Sequence, residues 1–243
     1  LHYFGSVEYN FERVPVPGVT DRSGSPVTGA TGTSSFFRID VPLSRGNMLT
    51  FEGIVAPATN QLVGLSPLVE AAAAPDIFKN DLFGGVVDHI VVNATTLLTL
   101  RAGVLQHRTE VQSRSRDTSI LAPDGWYQNF FAEVVDTGWR RAASATLDRT
   151  GLMAAGSHTL SLSADVRQRS MTGAIETHPI QIQDEGGRTV RFIVTSQVPH
   201  LAADDITIGF GVRDLWEPSP RLQVDLNARV DFPSAEPAAI SPR

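Results

Sequence analysis

The feature that most constrains this chain is a side-chain period of two. In HTLSLSADVR, Leu160, Leu162, Ala164 and Val166 alternate with Thr159, Ser161, Ser163, Asp165 and Arg167. Successive side chains of a strand point to opposite faces, so the segment is apolar on one side and polar on the other. The alternation recurs from end to end. Tyr3, Val7, Tyr9 and Phe11 face away from Ser6, Glu8, Asn10 and Glu12. Phe37, Ile39 and Val41 alternate with Arg38 and Asp40, and Leu98, Leu100, Ala102 and Val104 with Thr99, Arg101 and Gly103. Ile206, Ile208, Phe210 and Val212 alternate with Thr207, Gly209, Gly211 and Arg213. Leu222, Val224, Leu226, Ala228 and Val230 are set against Gln223, Asp225, Asn227, Arg229 and Asp231. The one helical signal, LVEAAAA at 68–74, has room for a turn or two before Pro75. The pattern predicts an all-β fold.

Composition excludes several roles. Charged residues make up 19% of the 243, below the quarter or so of an ordinary soluble domain. The net charge is −6 with no basic block, which argues against nucleic acid as a partner. With no cysteine there is no disulfide, no thiolate metal ligand and no thiol nucleophile. No apolar run reaches the 18 or so residues of a membrane-spanning helix.

The connections alternate in length. LSRGN (43–47), NATT (93–96) and EPSPR (217–221) are tight turns. Between them fall long stretches, expected at 15–35, 56–84, 112–125 with an extension toward 141, and within 177–204. In an up-and-down meander this places short turns at one rim and long loops at the other, the asymmetry of outer-membrane barrels. On this reading the apolar rows face lipid and the polar rows a wet lumen. A soluble β-sandwich also shows period two, with its apolar face buried inside, and stays open as an alternative. Its strands usually run only 5–6 residues or so.

Three stretches carry a resemblance to a known family. VRDLWEPSPRLQVDLNARVDF resembles the Gln-Asp-x-Trp, Pro turn, Arg-Leu-x-Leu-x-x-Gly-x-Arg-x-Asp hairpin of TonB-dependent outer-membrane receptors, through Asp214, Trp216, Pro220, Arg221, Leu222, Arg229 and Asp231. Arg213, Val224 and Asn227 depart from that pattern. FFRIDVPLSRGNMLTFEG resembles the family's Arg-x-Asp-x-x-Leu-Ser-x-x-Asn-x-Leu-Thr hairpin through Arg38, Asp40, Leu43, Ser44, Asn47, Leu49 and Thr50. GSHTLSLSADVRQRS is similar to a Gly-x-His-Thr-Leu strand through Gly156, His158, Thr159, Leu160 and Arg167. Their order fits the Oar-like, carboxypeptidase-regulatory-domain-containing branch.

The resemblance implies an antiparallel transmembrane β-barrel of about 22 strands. The chain is expected to supply nine to ten of them, as residues 1–232 of a partial barrel followed by a loop or truncated tail at 233–243. The plug domain is not found in the sequence, and the chain reads as an internal section of a longer protein. The implied function is energy-coupled uptake of a solute through a plugged barrel in the bacterial outer membrane. The implied partners are outer-membrane lipid, the plug and remaining strands, an inner-membrane energy-transducing protein, and a solute the sequence does not name. The alternatives are a plugless porin-like or adhesin-like barrel, or a soluble β-rich binding module.

No catalytic, cofactor or metal site is expected. The six histidines lack metal-site spacing, and no nucleophile elbow or phosphate-binding loop is present. Asp184-Glu185 reads as a polar turn rather than a calcium loop. Arg38 with Asp40, and Arg229 with Asp231, are same-face pairs on the lumen wall, either neutralising each other or touching plug or solute. Trp216 belongs to the interfacial aromatic belt.

The face assignment makes a direct prediction. In the full-length protein Leu162→Arg puts a cation into lipid at a cost of about 2–4 kcal/mol, and Ser163→Arg puts it into water. The first variant should lose most of its folded, heat-modifiable form in outer-membrane fractions and the second should keep it. Equal losses would contradict the assignment.

Overall fold

The computed structural model describes residues 1–19, 27–195, 200–234 and 239–242. The strands, in chain order, are β1 (His2–Pro15), β2 (Val27–Ser44), β3 (Asn47–Gln61), β4 (Asp76–Asn93), β5 (Thr96–Gln112), β6 (Ser119–Ala122) and β7 (Gly125–Tyr127). They continue as β8 (Ala132–Met153), β9 (Ser157–Thr177), β10 (Ile180–Gln183), β11 (Thr189–Ile193), β12 (His200–Ser219), β13 (Leu222–Pro233) and β14 (Ala239–Pro242). Among the described residues ten strands form one antiparallel sheet, in the order β1-β2-β3-β4-β5-β8-β9-β12-β13-β14. The order follows the chain, as in an up-and-down wall. β14 falls within the stretch expected to be loop or tail.

The period of two becomes two continuous faces. Tyr3, Ile39, Phe51, Val86, Ala102, Ala143, Val166, Ile208 and Phe232 are successive cross-strand partners from β1 to β13. Directly opposed residues share a face, so this is one apolar row across nine strands. It is not a core: Tyr3 is 83% exposed, Phe51 41%, Val166 43% and Phe232 48%. Among the described residues the buried hydrophobics are only Leu65, Ala73, Ala74 and Ala132, all toward the long-loop rim. A sandwich of this length would bury its apolar faces against each other, which removes the soluble sandwich as a reading. On the opposite face Arg101, Ser144, Asp165, Gly209 and Asp231 are successive partners across β5, β8, β9, β12 and β13.

The apolar band has the height of a bilayer core. On β9 its outward residues run from His158 through Leu160, Leu162, Ala164 and Val166 to Gln168. Ten steps of about 3.3 Å each, tilted by about 40°, span roughly 25 Å of membrane. At the upper end Arg141 lies 5.4 Å from the ring centre of Trp139 and donates to Gln168 Oε1 at 3.1 Å. At the lower end His158 stacks on Trp216, with ring centres 5.8 Å apart. Aromatic and polar groups thus flank the band at both rims, as interfacial side chains do.

The three expected tight turns are present, at 45–46, 94–95 and 220–221, with a fourth at 154–156. The long connections are shorter than expected. Residues 27–35 belong to β2, 56–61 to β3, 76–84 to β4 and 132–141 to β8; residues 20–26 of the first connection lie outside the described residues. VTGATGTSS has a loop's composition, yet it is hydrogen-bonded on both edges, with Thr31 opposite both Phe11 and Thr59. Pairing on both sides outweighs local propensity here. LVEAAAA makes one turn, with the Ala73 and Ala74 N–H groups donating to Glu70 O, and no helix.

Candidate functional site

The polar face carries its charges in matched sets. Arg38 Nε donates to both carboxylate oxygens of Asp40, at 3.0 and 3.2 Å. Thr50, opposite Asp40 on β3 and only 4% exposed, donates Oγ1 to Asp40 Oδ1 at 2.6 Å. Near the tight-turn rim Arg213 grips Asp225 with Nε and Nη2, at 2.9 and 2.6 Å. The largest set spans three strands. Arg229 Nη2 donates to Asp165 at 2.6 Å and to Asp231 at 2.7 Å, while Arg167 donates to Asp165 and Asp231 at 3.0 Å each. Two arginines and two aspartates thus close a neutral ring.

The ring exists because β12 offers no side chain beneath it. A Cβ on Gly209 would fall 2.1 Å from Arg229 Nη2 and 2.7 Å from Asp231 Oδ1. The glycine lets a side chain of β13 cross to β9. Sequence reading paired Arg229 with Asp231 but missed Asp165 and Arg167. Their signal was there: ADVR has the same i, i+2 charge spacing as RID and RVD. Pairs as exposed as these contribute about 0–1 kcal/mol each, so their main effect is to leave the wall locally neutral.

The other motif residues gather at the tight-turn rim. Gly156 has φ +127°, and a Cβ there would lie 2.4 Å from Glu217 O. That close approach brings the 154–156 turn onto the end of β12. Trp216 Nε1 donates to Ala155 O at 3.0 Å. His158 lies 2.8 Å from both Asp214 Oδ2 and Ala154 O through its two ring nitrogens. Asp214 sits opposite Leu160 and Leu226, so it is a rim residue on the apolar side and not a lumen residue. Pro220 and Arg221 form the two-residue turn between β12 and β13. Asn47 starts β3, and its buried Oδ1 has no partner among the described residues. The structure therefore brings Asp214 and Trp216 together with Gly156 and His158, and Arg229 together with Asp231. It leaves the Arg38–Asp40 pair apart, on β2.

At the opposite rim the long connections fold into a platform. A four-stranded sheet runs β11-β10-β6-β7, with β10 parallel to β6. Asn129, fully buried, is its hub. Its Nδ2 donates to Asp117 O at 3.1 Å, and its carbonyl accepts from Ser119 Oγ at 2.8 Å and Trp126 Nε1 at 3.1 Å. The 62–75 connection docks onto β7 through Trp126 N to Leu68 O at 2.7 Å and Glu70 N to Trp126 O at 2.9 Å. A cavity of about 430 Å³ opens on this platform between Ile120, Tyr127, Gln128 and the Asp184–Gly187 turn. Burial, with Asp124 next, raises the Tyr127 phenol above its usual pKa. Asp184 Oδ1 accepts from the N–H groups of Gly186 and Arg188 at 2.9 Å each, so DEGG is a side-chain-capped turn.

No family model matches the sequence, and no curated protein matches it. Solved structures do. The outer-membrane transporter YddB from Escherichia coli superposes with a TM-score of 0.72 at 9% identity, over 99% of this chain and 33% of its own. P. aeruginosa FpvA, in complex with a heterologous pyoverdine and iron, gives 0.65 at 8% identity, over 99% and 34%. The RagAB peptide importer gives 0.63 at 10% identity, over 98% and 31%. The chain spans about a third of the length of these structures. It has the fold of a section of an outer-membrane transporter barrel.

The rim geometry yields a prediction. Gly156→Ala forces a side chain into a left-handed backbone and against Glu217 O, a cost of at least about 1–2 kcal/mol. Urea unfolding of the full-length protein in lipid should show that loss. Unchanged stability would mean the two turns are not in contact.

Proposed function

We propose that this chain is a wall section, with its outer loops, of an outer-membrane transporter that takes up a solute by energy-coupled opening of a plugged barrel. The observation that carries this reading is the exposed apolar row across nine strands, backed by a charged face. Water does not tolerate such a surface, and lipid does. Among the described residues β1 has one hydrogen-bonded neighbour, and an unpaired edge costs several kcal/mol per group in a bilayer. Further strands therefore complete the wall.

Several observations support transport. The matched structures include an outer-membrane transporter, a peptide importer and a protein bound to a pyoverdine–iron complex. The folded platform at the long-loop rim suits an outer vestibule where solute is first held. A plug in the lumen and an inner-membrane energy-transducing protein are the partners this mechanism requires, and the three motif stretches resemble the family that uses them.

Planar-bilayer recording of the full-length protein separates this reading from a plugless barrel. A plugged transporter passes little steady current until the plug is displaced. A stable open channel in the untreated protein would assign it to the porin-like class instead.

A further inference from the structure

Among the described arginines of the polar face that hold no acid, Arg101, Arg140 and Arg169, two stand directly opposed. Arg140 of β8 and Arg169 of β9 are directly opposed cross-strand partners. They share a row with Leu105 and Asp205, and Arg169 is four residues along β9 from Asp165 of the ring. Like charges placed directly opposite each other destabilise a sheet. Arg38, Arg167, Arg213 and Arg229 each hold an aspartate at 2.6–3.0 Å. Among the described residues Arg140 and Arg169 hold none, and both are exposed.

Two acids near the pair have other hydrogen-bond partners. Asp205, opposite Arg169, accepts from Thr207 Oγ1 and Ser234 Oγ at 3.3 Å each. Asp81 is bonded to Nδ1 of His107. Beside the two guanidiniums lies a depression of about 170 Å³, lined by Leu105, His107, Gly138, Trp139, Arg140 and Arg169. Gly138 stands between His107 and Met171 in the next row, and its missing side chain opens the space. A wall that pays the repulsion of two adjacent cations and keeps a hollow beside them has the form of an oxyanion seat. Planar guanidiniums bind carboxylate or phosphate oxygens with paired, charge-assisted hydrogen bonds.

We propose that Arg140 and Arg169 form an oxyanion-binding site on the inner wall, which takes the carboxylate or phosphate group of the transported solute. The proposal rests on the transporter reading and adds a substrate class to it: solutes bearing an acidic group. The shared chemistry also fits an acidic side chain of a segment filling the lumen, and the test separates the two sources.

The probe is citrate, titrated at low ionic strength by calorimetry into the full-length protein in detergent. A heat-modifiable band first verifies the folded barrel. The expected result is saturable binding that Arg140→Gln with Arg169→Gln weakens by at least about ten-fold, the loss expected for hydrogen bonds to a charged group. The same double change to lysine should retain part of the binding. Arg101→Gln, a wall arginine outside the depression, should leave it unchanged. Absent binding in a heat-modifiable wild type, or equal binding in the double glutamine variant, overturns the site and leaves the transporter reading standing. Binding that emerges only after urea displaces a lumen-filling segment assigns the pair to that segment and overturns the solute proposal. Failure to obtain any heat-modifiable form sinks the barrel reading beneath it.

Discussion

The structure depends on one constraint: a backbone in lipid has no water to satisfy its N–H and C=O groups, so each must find another strand. That requirement explains why the sheet runs in chain order with neighbouring strands paired along most of their lengths. β8 and β9 keep partners from Ala132–Thr177 down to Met153–Ser157, interrupted by a single irregularity near the turn. It also explains why GATGTSS is strand despite its composition. Once β1 and β3 extend above the membrane, the segment between them is paired whatever its propensities.

Pairing forces a division of chemistry between the faces. The alternation that turns Leu162 toward lipid turns Ser163 toward the lumen, so the charges needed to keep the inside wet are carried on every other residue. An inner wall dense in charge must still balance it. Arg167 and Arg229 closed on Asp165 and Asp231 show how: same-strand pairs two residues apart are linked across a glycine strand into a neutral ring. Against that background Arg140 and Arg169 stand out, because two arginines without an acid are set directly opposite each other.

The faces of β1, β2, β3, β5, β9, β12 and β13 were legible from the alternation of side chains alone, and so were the three tight turns; β4 and β8 were not. The same-strand pairs Arg38–Asp40 and Arg229–Asp231 were legible too, because i, i+2 spacing in a strand fixes a shared face. Contacts that cross strands were not. The reach of Arg229 to Asp165 depends on register and on Gly209, neither of which a single strand encodes. Which face Asp214 takes was not legible either. It lies on the apolar side at the rim, where its partner is His158 of the preceding strand. The platform was illegible because β6, β7, β10 and β11 are only three to five residues long and are held by Asn129, whose role is visible only once the loops meet.

Barrel, faces and charge balance all require that the exposed apolar row contact lipid while the opposite row contacts water. The chain has no cysteine, so single cysteines can be introduced one at a time at positions 159–168 of β9 without background. Spin labels there, in the full-length protein in lipid, report collisions with oxygen and with a water-soluble nickel chelate. The account predicts oxygen maxima at 160, 162, 164 and 166 and nickel maxima at 159, 161, 163, 165 and 167. Apolar positions shielded from both probes, as in a buried core, or the two probes rising in phase, would contradict it.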